Sequence, residues 1–260
     1  MNGRVMRNRG HAVGFALSCW LAVALALPLA GVANASSMDE AHAAYAEGRF
    51  TDAARIAESL GTSRGFALAA ESLTVHGYFI AARGEKEGLF ERALGLAQKA
   101  VRADPGNADA HLQLARATGR LAQTIGSFDA ADRGYVEQIR EATEDALRLD
   151  PGMAQAHISL ARWHTGIVGK VGSFLARLTH GAREKDAIAS LDRALELAPD
   201  AKDVPLQYAL GLLELDEDEH RQKAKSLLER SIAIPAKDAF ERLLDKLARD
   251  RLKALEAPGG

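Results

Sequence analysis

The sequence predicts an all-α fold, a right-handed solenoid of stacked antiparallel helix pairs, and three observations carry that expectation. A long stretch repeats itself. Asp104-Pro105-Gly106 followed by Ala108, Ala110, His111, Leu114, Ala115 and Arg116 recurs as Asp150-Pro151-Gly152 followed by Ala154, Ala156, His157, Leu160, Ala161 and Arg162. Ile125-Gly126-Ser127-Phe128 is answered by Val171-Gly172-Ser173-Phe174, and every pair lies 46 positions apart. Such an offset marks units that stack because none can bury its apolar face alone. The second observation is helical periodicity: His111, Leu114, Ala115, Thr118, Leu121, Ala122 and Ile125 share one face, as do His157, Leu160, Ala161, His164, Val168 and Val171. The third is the lack of strand signals beyond the first 36 residues, where β-branched runs are few and no Asn-Gly or Asp-Gly turn occurs.

The first 35 residues read as a signal peptide, and residues 36–260 as the helical repeat domain. Arg4, Arg7 and Arg9 form a basic region, an apolar run extends from Ala12 to about Ala30, and Pro28 breaks it. Ala33-Asn34-Ala35 supplies the small-x-small pattern cleaved before Ser36. Cleavage implies a periplasmic or secreted protein; retention of the leader would instead leave a membrane anchor, since the run approaches spanning length. Cys19 is the only cysteine and lies inside the leader, after Ala16-Leu17-Ser18, which is a poor approach to lipid attachment. The domain itself therefore needs no disulfide, its length being enough for a large core.

Ser37 and Glu40 fit a capping box that would open the first helix. Val136, Ile139, Thr143, Ala146 and Leu147 outline the second helix of the first repeated pair. Loss of three leader arginines takes the net charge from −2 to −5. That balance argues against sequence-independent nucleic-acid binding and strong attraction to anionic lipid.

Before each proline, small residues fall at a spacing that resembles the second helix of a tetratricopeptide repeat. Ala93, Ala97, Ala100 and Pro105 match it, as do Ala187, Leu191, Ala194 and Pro199; Ile139, Thr143, Ala146 and Pro151 match with two substitutions. Ala53, Ala57 and Leu60 form an earlier copy, and a degenerate one runs from Ala224 to Pro235. Small side chains suit helices that cross closely. The proline-to-proline steps of 46, 48 and 36 exceed the usual period of about 34. The excess sits in Thr124–Arg133 and Gly166–Glu184, and insertions of this kind often form a working face.

The irregular arrangement, in a chain with an export leader, resembles the T component of tripartite ATP-independent periplasmic transporters. It is similar, more distantly, to the regulator-of-microtubule-dynamics family of helical repeat proteins. The resemblance covers about Lys86–Ile232 and rests on Asp-Pro-Gly-x-Ala-x-Ala-His-x-x-Leu-Ala-Arg. The T component resemblance implies a transport accessory that holds a small ligand between helices and docks a periplasmic solute-binding protein. The repeat architecture by itself points to non-enzymatic recognition of a protein or peptide by the concave groove and inserted loops.

Seven residues are candidates for binding. His111 and His157 either line a groove or pack between helices with a ring nitrogen hydrogen-bonded. Arg116 and Arg162 either grip a carboxylate in the groove or form solvated ion pairs. Phe174, Leu175 and Leu178 belong to Gly166–His180, whose glycines suit a loop; it either folds over the stack or forms an apolar lip for a ligand, an oligomer contact or a partner. No phosphate loop is present, because Val171 follows Lys170 where Ser or Thr is required. Glu214–Glu219 reads as a helix start capped by Asp216 and Glu219, and lacks the turn glycine of a calcium loop. Neither a metal nor a cofactor is expected. The sequence gives catalysis no foothold: there is no thiol outside the leader, no Ser-x-x-Lys and no dinucleotide fingerprint.

Overall fold

The computed structural model describes Met1 and residues 29–257, with side chains from Ser37 onward. Most of the expected leader, residues 2–28, lies outside the described residues. Twelve α-helices follow one another among the described residues: α1 (Leu29–Glu47), α2 (Phe50–Ser59), α3 (Ser63–Phe79), α4 (Lys86–Ala103), α5 (Ala108–Ile125), α6 (Ser127–Asp132), α7 (Tyr135–Leu149), α8 (Ala154–His180), α9 (Glu184–Leu197), α10 (Asp203–Leu215), α11 (Glu217–Ala233) and α12 (Ala239–Glu256). No strand occurs among these residues. Successive helices pack on one another, and α3 also touches α5, α5 touches α8, α8 touches α10 and α10 touches α12. The chain is thus a helical-repeat solenoid with α1, α3, α5, α8, α10 and α12 inside and α2, α4, α7, α9 and α11 outside.

The small residues sit where the spacing places them. Ala93, Ala97 and Ala100 on α4, Thr143 and Ala146 on α7, and Ala187 and Ala194 on α9 are wholly buried. Each stands at the crossing of an outer helix with an inner one, where a longer side chain would force the axes apart. The Asp-Pro-Gly turns are also built alike: Asp104 Oδ1 and Asp150 Oδ1 accept from the Gly106 and Gly152 amides, both at 2.9 Å. Asp216 caps α11 as expected, accepting the Glu219 amide at 2.9 Å.

Two expectations are corrected. Helix α1 runs from Leu29, so Ser37 lies within it and opens no helix by a capping box. Gly166–His180 is not a loop: it is the distal part of the 27-residue α8, with one break at Gly172. Gly169 lies within the helix, and a β-carbon there would meet the Glu214 carbonyl oxygen of α10 at 2.7 Å. Close approach of α8 and α10, not mobility, requires that glycine. The break has a counterpart 46 positions earlier. Gly172 (φ 78°, ψ 156°) and Gly126 (φ 96°, ψ 163°) share a conformation that side-chain-bearing residues rarely adopt, and each turns the chain into Ser-Phe.

The last helix returns to the first. Tyr45 of α1 lies against Phe240 of α12 with ring centroids 6.0 Å apart, and Phe240 also meets Phe79 of α3 at 6.2 Å. A β-carbon on Gly48 would lie 2.9 Å from that of Ala239. Helix α12 is fixed by a buried cation: the Lys202 ammonium donates to the Ser231 carbonyl and to Asp245 Oδ1, both at 2.7 Å, with its side chain wholly buried. Lys202 at the start of α10 thereby ties α11 to α12.

Two outcomes follow from this packing. Ala100→Trp, Ala146→Trp and Ala194→Trp should each destabilise the chain by at least about 1–3 kcal/mol. Unchanged melting in all three would contradict the crossings described above. Asp245→Ala should cost about 3–5 kcal/mol, because it strands the Lys202 ammonium, and Lys202→Met added to it should recover much of that loss. The Asp245 carboxyl is held below its ordinary value by the Lys202 hydrogen bond, then by Arg249. Its contribution is therefore full above the unfolded carboxylate value and is lost as pH falls through the folded one. Acid melts of wild type and Asp245→Ala should converge at low pH.

Candidate functional site

Closure of the ring turns the concave groove into a cavity of about 550 Å³. A polar ladder crosses its wall from one inner helix to the next. The Tyr45 hydroxyl of α1 donates to Glu71 Oε1 of α3 at 3.2 Å, and Arg116 of α5 stands 4.0 Å from the same oxygen. Arg116 also donates to Gln155 Oε1 of α8, whose amide nitrogen donates to Asp203 of α10. A second rung joins Arg162 Nη1 of α8 to Gln207 Oε1 of α10 at 3.2 Å. Below it the Thr165 hydroxyl donates to Glu214 Oε2 at 2.8 Å. Apolar surface fills the gaps, from Tyr78 and Phe79 on α3, Ile158 and Trp163 on α8, and Phe240 and Leu244 on α12. The Trp163 ring is locked by donation from Nε1 to the Val136 carbonyl at 2.8 Å.

Charge in this wall is strained. The Arg120 guanidinium lies over the Tyr78 ring, 3.7 Å from its centroid, and donates to Gln123 Oε1 at 3.1 Å. Burial first, and then the neighbouring Arg162 charge, pull Arg120 down to about 10. It remains a cation at neutral pH. Burial pushes the Glu71 carboxyl up, against the opposing pull of Arg116. Neither Arg120 nor Arg162 has a carboxylate within ion-pair reach among the described residues.

The seven expected site residues divide into three groups. Arg116 and Arg162 occupy equivalent places on the cavity wall. His111 and His157 are absent from that wall. Each ring nitrogen Nε2 faces the carbonyl of the proline six residues earlier, Pro105 at 2.9 Å and Pro151 at 3.0 Å, so both clip the repeat turn. Phe174, Leu175 and Leu178 project from the distal part of α8 with 68%, 50% and 72% of their surface exposed. Phe128, the counterpart of Phe174, is 84% exposed, and Lys170 Nζ donates to Ser127 Oγ at 3.3 Å, bringing the two inserts together.

Arg120 escaped the sequence reading for a specific reason: its counterpart 46 positions on is Gly166. A comparison that singles out residues present in both copies passes over it. Glu71, Gln155, Asp203 and Gln207 carried no signal beyond being polar residues on amphipathic helices.

Two further features lie away from the cavity. Glu184, Glu219 and His220 bring one ligand atom each within 4.8 Å of one another, and His220 Nε2 stands 3.9 Å from Glu184. Glu219 is exposed and Glu184 only half-buried, an arrangement common in surface ion pairs. Gly61-Thr62-Ser63-Arg64-Gly65 has the spacing of a hydrolase nucleophile turn, but that turn joins a strand to a helix, and this one joins α2 to α3. Ser63 Oγ is buried, donating to the Ala100 carbonyl at 2.8 Å and accepting from the Asn107 amide at 2.9 Å. Its work is to brace the next turn of the stack.

The family model "Regulator of microtubule dynamics protein 1-3" matches residues 69–256, most of the ring from α3 through α12. The chain belongs to that family. Of the two families that the sequence resembles, this is the one that matches. No curated protein matches the chain. Among solved structures, the chain is similar to a thermophilic TPR protein of Thermus thermophilus, at 21% identity and a TM-score of 0.59, over 83% of this chain and 98% of that one. At that identity the likeness concerns the fold, a helical repeat of tetratricopeptide type. Family and neighbour are both compatible with the helical-repeat architecture described above.

Proposed function

We propose that this family member is a non-enzymatic binding scaffold that holds a small ligand inside its narrowed groove and recruits a protein partner at an apolar lip. The contact of α1 with α12 carries the first half of that reading. An open concave groove would accept a peptide or a helix. The groove narrowed by that contact offers about 550 Å³, close to the volume of a single helical turn, roughly 10–12 Å across and about 5.4 Å long. A folded partner does not fit there; a small molecule does, and 300–1,000 Å³ is about the usual range for such sites. The role matches a transport accessory of the T component kind, with export after cleavage before Ser36 and a solute-binding protein as the docked partner. Intact mass of the native protein reports whether the leader is removed.

The second half rests on the exposed inserts. Phe128, Val171, Phe174, Leu175 and Leu178 are five of the seven large apolar side chains left open to solvent among the described residues, Met1 and Ile80 being the others. Their concentration on one feature is what contact surfaces show. A protein partner or a second copy of the chain would cover them.

Native mass spectrometry of the full chain purified from its own cell envelope tests the ligand reading. A reproducible small-molecule adduct, released by denaturation, is the expected result. A bare chain that no small-molecule fraction of the envelope stabilises against heat would overturn it. For the lip, Phe174→Ser combined with Leu178→Ser should abolish partner capture or self-association while stability changes by no more than about 0.5 kcal/mol, as for other surface changes. Cooperative unfolding at lower temperature would show instead that the insert is core.

A further inference from the structure

Arg120 and Arg162 present an uncompensated need inside the cavity. Each guanidinium is held by a neutral partner: Arg120 by the Tyr78 ring and the Gln123 amide, Arg162 by the Gln207 amide. None of the acids in the same wall stands within ion-pair reach of Arg120 or Arg162. Glu71 receives the Tyr45 hydroxyl and faces Arg116, Asp203 receives Gln155, and Glu214 receives Thr165. Two cations lining one partly dehydrated cavity cost free energy that an incoming anion relieves. A guanidinium fork matches the oxygen pair of a carboxylate or sulfonate.

The rest of the wall limits what that anion carries. Tyr78, Trp163 and Phe240 give it aromatic surface, and Ile158 and Leu244 give it aliphatic surface. At roughly the volume of one water, about 30 Å³ per non-hydrogen atom, the cavity takes on the order of twenty such atoms. Glu71, Asp203 and Glu214 would repel a second negative charge.

We propose that the cavity selects a small organic monoanion, its carboxylate or sulfonate head between Arg120 and Arg162 and its aromatic or branched apolar body against Tyr78, Trp163 and Phe240. This deepens the ligand-holding reading and rests on it. Selectivity comes from the head group, because the apolar wall alone would admit neutral molecules equally well. Arg116, already paired with Glu71 and Gln155, positions the wall and does not hold the ligand.

The test uses two fluorescent probes of similar shape, anionic anilinonaphthalene sulfonate and neutral N-phenylnaphthylamine. They are titrated into the full chain carrying Phe174→Ser and Leu178→Ser, so that the lip does not capture them. The anionic probe should saturate one site and bind about tenfold tighter than the neutral one, as expected for a charge-assisted hydrogen bond. Arg120→Gln and Arg162→Gln should each remove about that factor for the anion and leave the neutral probe unchanged. The anion should raise the melting temperature of the parent and not of the arginine variants. Equal binding of both probes, with no effect of either variant, would overturn the anion selectivity while leaving the cavity a ligand site. Failure of both probes to saturate any site would overturn the ligand-holding reading as well. The comparison of the two probes on the parent needs no arginine variant, so it decides the matter even if Arg120→Gln folds poorly.

Discussion

The contact between the first and last inner helices changes what kind of object this solenoid is. In an open stack each unit touches only its neighbours, stability is close to a sum of local terms, and the ends fray separately. Here Tyr45 meets Phe240, Phe240 meets Phe79, and Gly48 leaves room for Ala239. Aromatic pairs of this sort contribute about 0.5–1.5 kcal/mol each beyond the area they bury. The closure entropy that such a long-range contact would cost is small, because it grows only with the logarithm of loop length and the intervening helices have already fixed the path. A modest aromatic cluster is therefore enough to shut the ring. The contact narrows the groove to a cavity that keeps a mouth open to solvent, and polar residues from several inner helices line it together.

The ladder through Tyr45, Glu71, Arg116, Gln155 and Asp203 shows how that space tolerates charge. Each residue comes from a different inner helix, so the polar contacts, three hydrogen bonds and the Glu71–Arg116 ion pair, run around the ring and not along any helix. A half-buried carboxylate or guanidinium left alone would be costly; linked in series, each member satisfies the next. Glu71 bears part of the cost as an elevated proton affinity. Arg120 lies outside the ladder and leans on an aromatic face instead, which is why its charge is the one most available to an outside partner.

How much of this was legible in the sequence depended on whether the information was periodic. The repeat offset and the alanine spacing specified the helix pairs and their crossings, because small residues at Ala93, Ala97, Ala100 and Ala146 answer a local steric demand that recurs in every unit. The closure had no such signature. Tyr45, Phe79 and Phe240 lie on three separate helices, and nothing in their neighbourhoods announces that they meet. The same distinction separates Arg116 and Arg162, which the repeat exposes, from Arg120, whose equivalent is Gly166. The histidines mislead for the opposite reason. His111 and His157 repeat faithfully because each ring clips the proline carbonyl of its own Asp-Pro-Gly turn, and that role is structural. Repetition within a chain thus reports what every unit requires, whereas a binding site made once from several units is written in residues that do not repeat.

The two Gly-Ser-Phe copies qualify that rule. Gly126 and Gly172 adopt nearly the same backbone conformation, and Phe128 and Phe174 both end outside the core, so the motif repeats without packing. A conformation reserved for glycine, followed twice by an exposed phenylalanine, is a poor way to close a helix pair; a polar turn would suffice and would carry no apolar exposure. Its placement gives it sense. Ser127, Lys170 and Val171 belong to the cavity wall, and the exposed phenylalanines follow within about one helical turn of them. The exposed apolar surface and part of the cavity wall are therefore consecutive stretches of the same two inserts. A body seated on Phe128 and Phe174 would bear directly on the segments that bound the cavity, and this adjacency couples the two halves of the site through backbone and not through a distant relay.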